Sequence, residues 1–322
     1  MWRRISAALS LFLLSPLIAE YLLGSLSMSM IAILPLMAAM YGSGAILIRE
    51  AARATGRGWP TMILLATAYG LIEEGFVTQS LFNPNYLHLR LLDFGFVPAL
   101  GTALPWLVFV VSIHVIWSIS VPIGLTEGLF RDKRAEPWLG WIGRGIFVLL
   151  FLAGSALVAI FSYKQVPFLA TPAQFGVTGA VVVALIVAAF AWPKSRPAED
   201  AAPAPHPIVL FVAPLAFGSA LMGLQQMAEA KWHLSPEICV AAVLGLEAAF
   251  IAFMVLFTRS KAWTDGQRFA LMAGGLMVYV WVGFPTDVSL HGQAAMVPHI
   301  AIAVLFVIIC AVAGWRSRAA SR

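Results

Sequence analysis

Two adjacent carboxylates, Glu73 and Glu74, lie inside an otherwise apolar stretch of this chain. A charged side chain at the centre of a bilayer costs at least ~2.5 kcal/mol, so two together indicate specific partners or a chemical task. Neighbouring carboxylates in an apolar setting suit a general base that activates water, or a pair of metal ligands. His114, on the next apolar stretch, supplies an imidazole that can act as a ligand or a proton shuttle. We therefore predict that Glu73, Glu74 and His114 are catalytic.

The depth of each polar residue follows from helix geometry, because a helix rises ~1.5 Å per residue across a bilayer core of ~30 Å. By this measure Glu73 and Glu74 lie in the outer half of their helix, and His114 lies near the middle of the next, antiparallel one. Successive residues on an α-helix point ~100° apart. Only one of the two carboxylates is therefore expected to point fully at a given neighbour.

Other ionisable and hydroxyl groups at similar depths indicate a larger polar site. The predicted metal ligands are Glu74, His114 and His299, and zinc is one divalent cation that carboxylate and imidazole ligands suit. The predicted supporting residues are Glu20, Thr78, Ser118, Glu247, Asp287 and His291. Because these groups concentrate in the outer half of the bilayer or at its rim, we expect a wet, polar cavity that opens towards the outer face.

A glutamate pair followed by a histidine on the next membrane helix resembles the CPBP family of intramembrane proteases (CaaX-prenyl protease and bacteriocin-processing type). The first two motifs of that family are EExxxR and FxxxH, and the matching residues are Glu73, Glu74 and His114. Thr78 stands at the arginine position and Val110 at the phenylalanine position. The next two spans contain no histidine, although the third motif, HxxxN, belongs there. The resemblance implies an intramembrane hydrolase that acts on a membrane-embedded peptide or a lipid-linked substrate.

Membrane-spanning helices must position these residues. The mean hydropathy is +0.90, and only 11% of the residues are charged, against ~25% in a typical soluble domain. A spanning helix needs ~20 apolar residues. We predict an all-α, polytopic membrane protein with one transmembrane domain and about ten spans, which cover residues 5–23, 30–48, 60–81, 103–124, 145–163, 174–192, 207–227, 237–257, 268–286 and 295–314.

Basic residues alternate between the loops in the way that membrane topology requires. Of the 20 Lys and Arg residues, all but Arg90, Lys164 and Lys231 lie on one set of alternate segments. Cytoplasmic loops are enriched in Lys and Arg, so both termini are expected to be cytoplasmic. Short basic clusters between apolar runs do not form a nucleic-acid-binding surface. The lipid bilayer is therefore the predicted partner of a multi-pass protein of the cell membrane.

Three segments need a separate interpretation. Residues 1–21 also resemble a signal peptide, but apolar sequence continues past Glu20 through Leu23, which favours a retained first span. The aromatic segment 83–101 is too long for a tight turn and is interpreted as an interfacial helix or a lid. The Pro- and Ala-rich segment 193–206 is interpreted as a flexible cytoplasmic linker.

Two other functions fit the same residues. Intramembrane carboxylates near histidine, Gly and Pro also suit a proton- or ion-coupled transporter, although the inverted repeats of many carriers are not evident here. The other alternative is a scaffold in which buried carboxylates are contacts between helices, each worth ~0.6 kcal/mol. Activity that depends on the carboxylates would favour the hydrolase over the scaffold, whereas pH-dependent solute flux would favour the transporter.

Overall fold

The structure, a computed structural model, describes residues 2–194, 204–258 and 263–319 and is predominantly α-helical. Within these residues, 9 helices are long and apolar enough to cross a membrane. A further helical segment, 59–77, contains the glutamate pair, which lowers its hydropathy. The prediction of an all-α, polytopic membrane protein is therefore confirmed. The side on which the termini lie stays a prediction from the basic loops.

The helices follow the chain with short irregular turns inside several spans. The α-helices in the described residues are α1 (Trp2–Pro16), α2 (Leu34–Met37), α3 (Ser43–Ala54), α4 (Trp59–Ile72), α5 (Leu104–Ile113), α6 (Val121–Leu129), α7 (Trp141–Gln165), α8 (Pro172–Ala191), α9 (Pro207–Met227), α10 (Pro236–Thr258), α11 (Asp265–His291) and α12 (Met296–Ala319). The π-helical segments are π1 (Leu17–Leu22), π2 (Ala38–Gly42), π3 (Glu73–Val77) and π4 (His114–Ser120). The 3₁₀ turns are Met28–Ile33, Tyr86–His88, Arg131–Lys133 and Gln293–Ala295. Two short strands, β1 (Phe96–Val97) and β2 (Thr102–Ala103), pair antiparallel.

The first four spans and the long helix α11 form the centre of the protein. These spans consist of α1 with π1, α2 to α3 with π2, α4 with π3, and α5 to α6 with π4. Trp117 in π4 is fully buried, stacks on Tyr279 of α11 with ring centroids 4.6 Å apart, and donates to the Gly275 carbonyl. By contrast, only 11% of the apolar window of α7 or α10 is buried, against 50% in the first span. Lipid tails can cover such apolar faces as well as protein does. The peripheral helices therefore surround a central bundle that holds the polar residues.

Within the described residues, the π-helical segments occur only in the first four spans. A π-helical turn inserts an extra residue into the α-helical ladder, and such turns are frequent at functional sites. Close helix packing accompanies them: a Cβ on Gly42 in π2 would overlap the Phe12 carbonyl of α1. The irregular turns thus mark the four spans that converge on one region.

The three segments that received a separate interpretation from the sequence have different structures. The first predicted span belongs to the core, where Leu11 is fully buried and the Ser15 hydroxyl donates to the Ser118 carbonyl at 2.7 Å. Segment 83–101 contains a 3₁₀ turn and the β1 strand, so the predicted interfacial helix is not formed. In the predicted linker, residues 195–203 lie outside the described residues.

A buried charged cluster joins the predicted cytoplasmic ends of spans two and four. This inner cluster comprises Arg49, Glu50, Arg53 and Glu127. Arg49 is fully buried, and its guanidinium donates to Glu127 and Glu50, each at 3.0 Å, and to three backbone carbonyls. Arg53 donates to both Glu127 oxygens, at 2.9 and 2.7 Å. In the sequence, these arginines were indistinguishable from ordinary topological charges.

Candidate functional site

Glu73, Glu74 and His114 come together between spans three and four. His114 Nε2 lies 2.7 Å from Glu74 Oε1, and His114 Nδ1 lies 3.3 Å from Glu73 Oε2. One possible ligand atom from each residue lies within 4.8 Å of the others, and all three residues are buried. We call these three residues the carboxylate–histidine site. Its imidazole bridges the two carboxylates.

Hydrogen bonds hold Glu74 at both of its oxygens. Oε1 faces His114, while Oε2 accepts from the Thr78 hydroxyl at 3.0 Å and from the Ser80 hydroxyl. Trp106 Nε1 donates to Ser80 Oγ at 3.1 Å and so fixes that hydroxyl in turn. Several donors on one carboxylate restrict its orientation as well as stabilise its charge. Glu74 is therefore a fixed partner of His114.

Glu73, by contrast, keeps free acceptor capacity. Its buried Oε2 atom has no hydrogen-bond partner, although His114 Nδ1 is 3.3 Å away. The Nδ1 atom lies closer to Ser118 Oγ, at 3.1 Å. The neighbouring Tyr69 hydroxyl interacts with the Glu73 charge but is also buried without a well-formed hydrogen bond. Unsatisfied buried polar atoms are uncommon in proteins and often indicate a functional site.

The π-helical turn explains why both carboxylates reach the same histidine. π3 begins at Glu73 and continues α4 with a wider turn, so that Glu73 and Glu74 both face His114, the first residue of π4. The prediction that only one carboxylate would point at a given neighbour is therefore wrong. It assumed regular α-helical spacing, which a π turn locally changes.

Spans one and two contribute a second pair of polar side chains, Glu20 from π1 and Tyr41 from π2. The Tyr41 hydroxyl donates to Glu20 Oε1, and the Ser25 hydroxyl donates to Glu20 Oε2 at 2.5 Å. The Tyr41 ring stacks on His114, with ring centroids 6.0 Å apart and an angle of 22° between the planes. Each π-helical segment thus supplies at least one side chain to the same polar region.

The carboxylate–histidine site is closed, so the predicted open cavity is wrong for this structure. The exposed fractions of Glu73, Glu74 and His114 are 2%, 7% and 4%. The segment that follows π3, residues 78–90, borders the site: the Thr78 and Ser80 hydroxyls donate to Glu74, and Tyr86 lies near enough to interact electrostatically with its carboxylates. Burial, and then the charges of the nearby carboxylates, raise the pKa of the Tyr86 phenol. All three side chains of the site are therefore enclosed by protein.

Three of the predicted residues form a separate cluster near the C-terminal end of α11 and the N-terminal end of α12. His299 Nδ1 lies 3.1 Å from Asp287 Oδ2, and both side chains are fully buried. His291 Nε2 lies 3.1 Å from the Ser25 carbonyl and 4.0 Å from Asp287 Oδ1. Asp287 holds His299 at this separate cluster. The predicted metal set is corrected accordingly, because the candidate metal group found in the described residues contains Glu73 in place of His299.

Glu247 also lies apart from the site. This half-buried residue on α10 accepts a hydrogen bond from the Ser112 hydroxyl. Residues two apart on a helix point in nearly opposite directions, so Ser112 lies on the other face of its span from His114. The shared depth of Glu247 and His114 therefore did not bring them together.

Comparison with known proteins gives the class of the chain. Residues 9–321 match the model of a family that is described as an uncharacterized membrane protein family. The chain belongs to this uncharacterized membrane protein family. No curated protein and no solved structure matches the chain. Membership in this membrane protein family, together with the apolar helices, shows a multi-pass membrane protein in a lipid bilayer.

For this member of the membrane protein family, sequence reasoning missed Tyr41, Tyr69 and Ser80. A tyrosine in an apolar helix is ordinarily a packing residue, and Ser80 reads as part of a turn. One signal was available: Tyr41 lies in the span between those of Glu20 and Glu73, and Tyr69 lies four residues before Glu73 on the same helix. That signal becomes specific only when the helix packing is known.

Proposed function

We propose that the chain is an intramembrane hydrolase of the CPBP type in which Glu73, Glu74 and His114 are the reacting groups. The observation that carries the proposal is the contact of one histidine with both adjacent carboxylates across two spans. The CPBP-like motifs indicate these three residues on two consecutive spans. Four irregular turns that converge on one polar region argue against the scaffold, because packing alone does not require them.

The different surroundings of the two carboxylates suggest different roles. Glu74 is saturated with donors and orients His114, as a buried carboxylate orients the histidine of many hydrolases. Glu73 acts as the general base, since its unpartnered Oε2 can take a proton from water as the water oxygen attacks the substrate carbonyl. His114 gives a proton to the leaving amine when the C–N bond breaks. Glu73 then returns its proton to His114 across the 3.3 Å contact.

The same residues also fit a divalent metal. Two carboxylates and one imidazole offer three protein ligands, the number that catalytic zinc sites use while one position stays open. A bound zinc ion would polarise the substrate carbonyl and lower the pKa of a bound water. In this arrangement Glu73, Glu74 and His114 would hold the ion, while Thr78 and Ser80 orient Glu74 through their hydroxyl groups.

A substrate reaches the buried site only if part of the enclosing protein moves, and segment 78–90 after π3 is the candidate. Residues 79, 87, 88 and 90 of this segment are not glycine, yet each has a positive φ between 46° and 62°. Such backbone conformations are strained for most side chains and cluster in regions that rearrange during function. A membrane-embedded peptide is the substrate class that suits a site enclosed by spans, and displacement of this segment would admit it.

Hydrolysis of fluorogenic peptides that span a bilayer tests the proposal, with purified protein in liposomes. Glu73→Gln, Glu74→Gln and His114→Ala should each lower kcat/KM by ~10²–10⁴-fold, the usual contribution of acid–base catalysis. Glu247→Gln is the matched control, because it removes an intramembrane carboxylate outside the site. Loss of activity on chelation and its return with zinc would select the metal-dependent form. Full activity of correctly folded Glu73→Gln and Glu74→Gln proteins would rule the hydrolase out.

The closed site and the irregular spans also support the second candidate, a proton-coupled transporter. Carriers build their sites near the bilayer midplane from interrupted helices, and intramembrane carboxylates carry the coupled protons. Solute flux that depends on pH and survives chelation, without cleavage of the peptides above, would favour this function over hydrolysis.

A further inference from the structure

Three arginines and one aspartate meet where the end of α6 lies beside the beginning of α11, at the predicted cytoplasmic ends of these helices. We propose that this arginine cluster, which comprises Arg131, Arg134, Asp265 and Arg268, binds the phosphate headgroup of an anionic phospholipid. The inference goes beyond the proposed function, because it concerns a different region of the protein and does not require hydrolysis.

Salt bridges join the chain after α6 to the first residue of α11. Arg134 Nη1 contacts Asp265 Oδ1, and Arg131 Nη1 lies 3.6 Å from Asp265 Oδ2. Arg268 follows Asp265 by three residues on α11, so it lies on the same side of that helix. The three guanidinium groups therefore gather around one carboxylate, although they come from two distant parts of the sequence.

Close packing holds α6 and α11 together at this junction. A Cβ on Gly124 of α6 would overlap the Met272 side chain of α11, so glycine permits the close approach. Nearer the end of α6, the Gly128 carbonyl accepts a hydrogen bond from Arg131 Nε at 3.1 Å. The arginine cluster therefore stands on two helices that are packed against each other, which keeps its members at a fixed spacing.

The charges of the arginine cluster do not balance. Asp265 supplies one negative charge, whereas the three arginines supply three positive charges. The other acidic side chains that follow α6 pair with other basic residues, in the contacts Asp132–Arg3, Glu136–Arg4 and Glu136–Lys133. A phosphodiester brings one negative charge, and arginine binds phosphate oxygens through two parallel N–H groups. The headgroup of an anionic phospholipid therefore complements the cluster in charge and in geometry.

Tryptophans place the arginine cluster at the depth of the lipid headgroups. The exposed Arg268 has its guanidinium carbon 5.8 Å from the centre of the Trp263 ring, within the range of a cation–π contact. Exposed tryptophans also lie at the start of α7 and just after α8, namely Trp141 and Trp192. Because successive spans alternate in direction, these helix ends lie on the same side of the bilayer as the cluster. Tryptophan concentrates where acyl chains meet headgroups.

Membrane topology explains why basic residues occur at this end of the spans, but it does not explain their convergence. The topology rule concerns the number of basic residues in each loop and does not require distant arginines to meet. Arg57 is an example of a basic residue outside the cluster: its guanidinium donates to the Trp192 carbonyl after α8 and lies 6.0 Å from the Phe190 ring. Arg57→Gln is therefore the matched control, since it removes one positive charge from the same end of the spans.

The test measures phospholipid binding to the full chain in detergent micelles by native mass spectrometry. The probes are phosphatidylglycerol, which is anionic, and phosphatidylcholine, which is zwitterionic. The wild-type protein should bind phosphatidylglycerol roughly tenfold more tightly, because the cluster keeps an excess of positive charge. Arg134→Gln and Arg268→Gln should each weaken this binding about fivefold, the effect of one basic residue at an anionic surface. Arg57→Gln should leave the binding unchanged.

Asp265→Asn should have the opposite effect on lipid binding. It removes the carboxylate that competes with a phosphate group for Arg131 and Arg134, so phosphatidylglycerol should bind about fivefold more tightly. The same substitution should lower the Tm without added lipid, because it weakens the contact between α11 and the chain after α6. A salt bridge with a purely structural role predicts the loss of stability without the gain in lipid binding.

Three results would overturn the headgroup site. The first is equal binding of phosphatidylglycerol and phosphatidylcholine to the wild-type protein. The second is an equal loss in Arg57→Gln and Arg268→Gln, which would mean that the total charge at this end attracts the lipid. The third is displacement of phosphatidylglycerol by inorganic phosphate at a comparable concentration, which would indicate a site for a free anion. If Arg134→Gln does not fold, the exposed Arg268→Gln decides.

Discussion

The inner cluster and the carboxylate–histidine site are both buried groups of charged residues, but they differ in how completely their hydrogen bonds are satisfied. In the inner cluster, Arg49 donates to two carboxylates and three backbone carbonyls, and Arg53 binds both oxygens of Glu127. In the site, a buried oxygen of Glu73 has no hydrogen-bond partner. The inner cluster is a structural connection between two spans, whereas the site keeps capacity for a further partner.

The balance of charge explains this difference. In the inner cluster each carboxylate meets two arginines: Glu127 pairs with Arg49 and Arg53, and Glu50 pairs with Arg49 and, at 3.3 Å, with the neighbouring Arg144. The site sets two glutamates against one histidine, whose charge depends on a proton. Buried charges are tolerated when they are paired and fully hydrogen-bonded, and a surplus carboxylate can instead bind a proton or a metal ion. The same residue types therefore form a structural contact in the inner cluster, whereas in the carboxylate–histidine site they leave a carboxylate that can react.

The same chemical change in both regions gives the largest expected contrast. Glu127→Gln leaves Arg49 and Arg53 without their shared carboxylate, and it should lower the free energy of unfolding by ~3–5 kcal/mol, as removal of one partner of a buried ion pair does. Glu73→Gln removes one of two neighbouring carboxylates, and its effect should stay within ~1 kcal/mol, since functional sites are rarely optimised for stability. Thermal and denaturant unfolding in one detergent would measure both.

Arg3→Ala is the control for the loss of an ion pair as such. Arg3 pairs with Asp132 at 3.0 Å in a largely exposed position, where a salt bridge contributes ~0–1 kcal/mol. Equal destabilisation by Glu127→Gln and Glu73→Gln would end the distinction between the two regions. The site would then be a structural contact like the inner cluster.

The spans and the three site residues can be predicted from the sequence, whereas the separation of Glu247 from the site cannot. Hydropathy alone indicates the spans, because a bilayer demands long apolar helices. Helical depth brings Glu73, Glu74 and His114 to compatible levels, and the structure places them in contact. The depth of a residue in the membrane does not specify, however, which face of its helix it lies on or which helix it contacts. Glu247 therefore lies apart from the site although its depth resembles that of His114.

The remaining features depend on irregular backbone and on packing order. Nothing in local propensity identifies the π turns that let Glu73 and Glu74 face one histidine. The inner cluster could not be recognised from the sequence, because Arg49 fits the same charge rule as any basic residue at a predicted cytoplasmic helix end. Tyr41 acquires a role only through the packing of span two between Glu20 and His114. These relationships are tertiary, so a single sequence does not contain them in readable form.

The pair of Asp287 and His299 tests whether the distinction extends to a third region. This pair is fully buried, but Asp287 Oδ1 and His299 Nε2 lack hydrogen-bond partners, so it combines features of both clusters. Asp287→Asn should cost ~1–3 kcal/mol, because it weakens a buried contact between α11 and α12 without leaving two unpaired arginines. His291→Gln, at a more exposed neighbour, is the control. A loss as large as that of Glu127→Gln would place this pair with the inner cluster.

Glu247→Gln has the smallest expected effect of these substitutions. It therefore tests most strictly whether the partners of a buried carboxylate decide its importance. Its carboxylate is half-buried on the peripheral helix α10 and accepts from the Ser112 hydroxyl, a bond that a glutamine carbonyl can also accept. Glu247→Gln should therefore change the free energy of unfolding by less than ~0.5 kcal/mol, the range of substitutions away from critical contacts. It should also leave peptide hydrolysis unchanged. A large effect in either measurement would show that an intramembrane carboxylate matters here regardless of its partners, and the contrast between the two clusters would lose its physical basis.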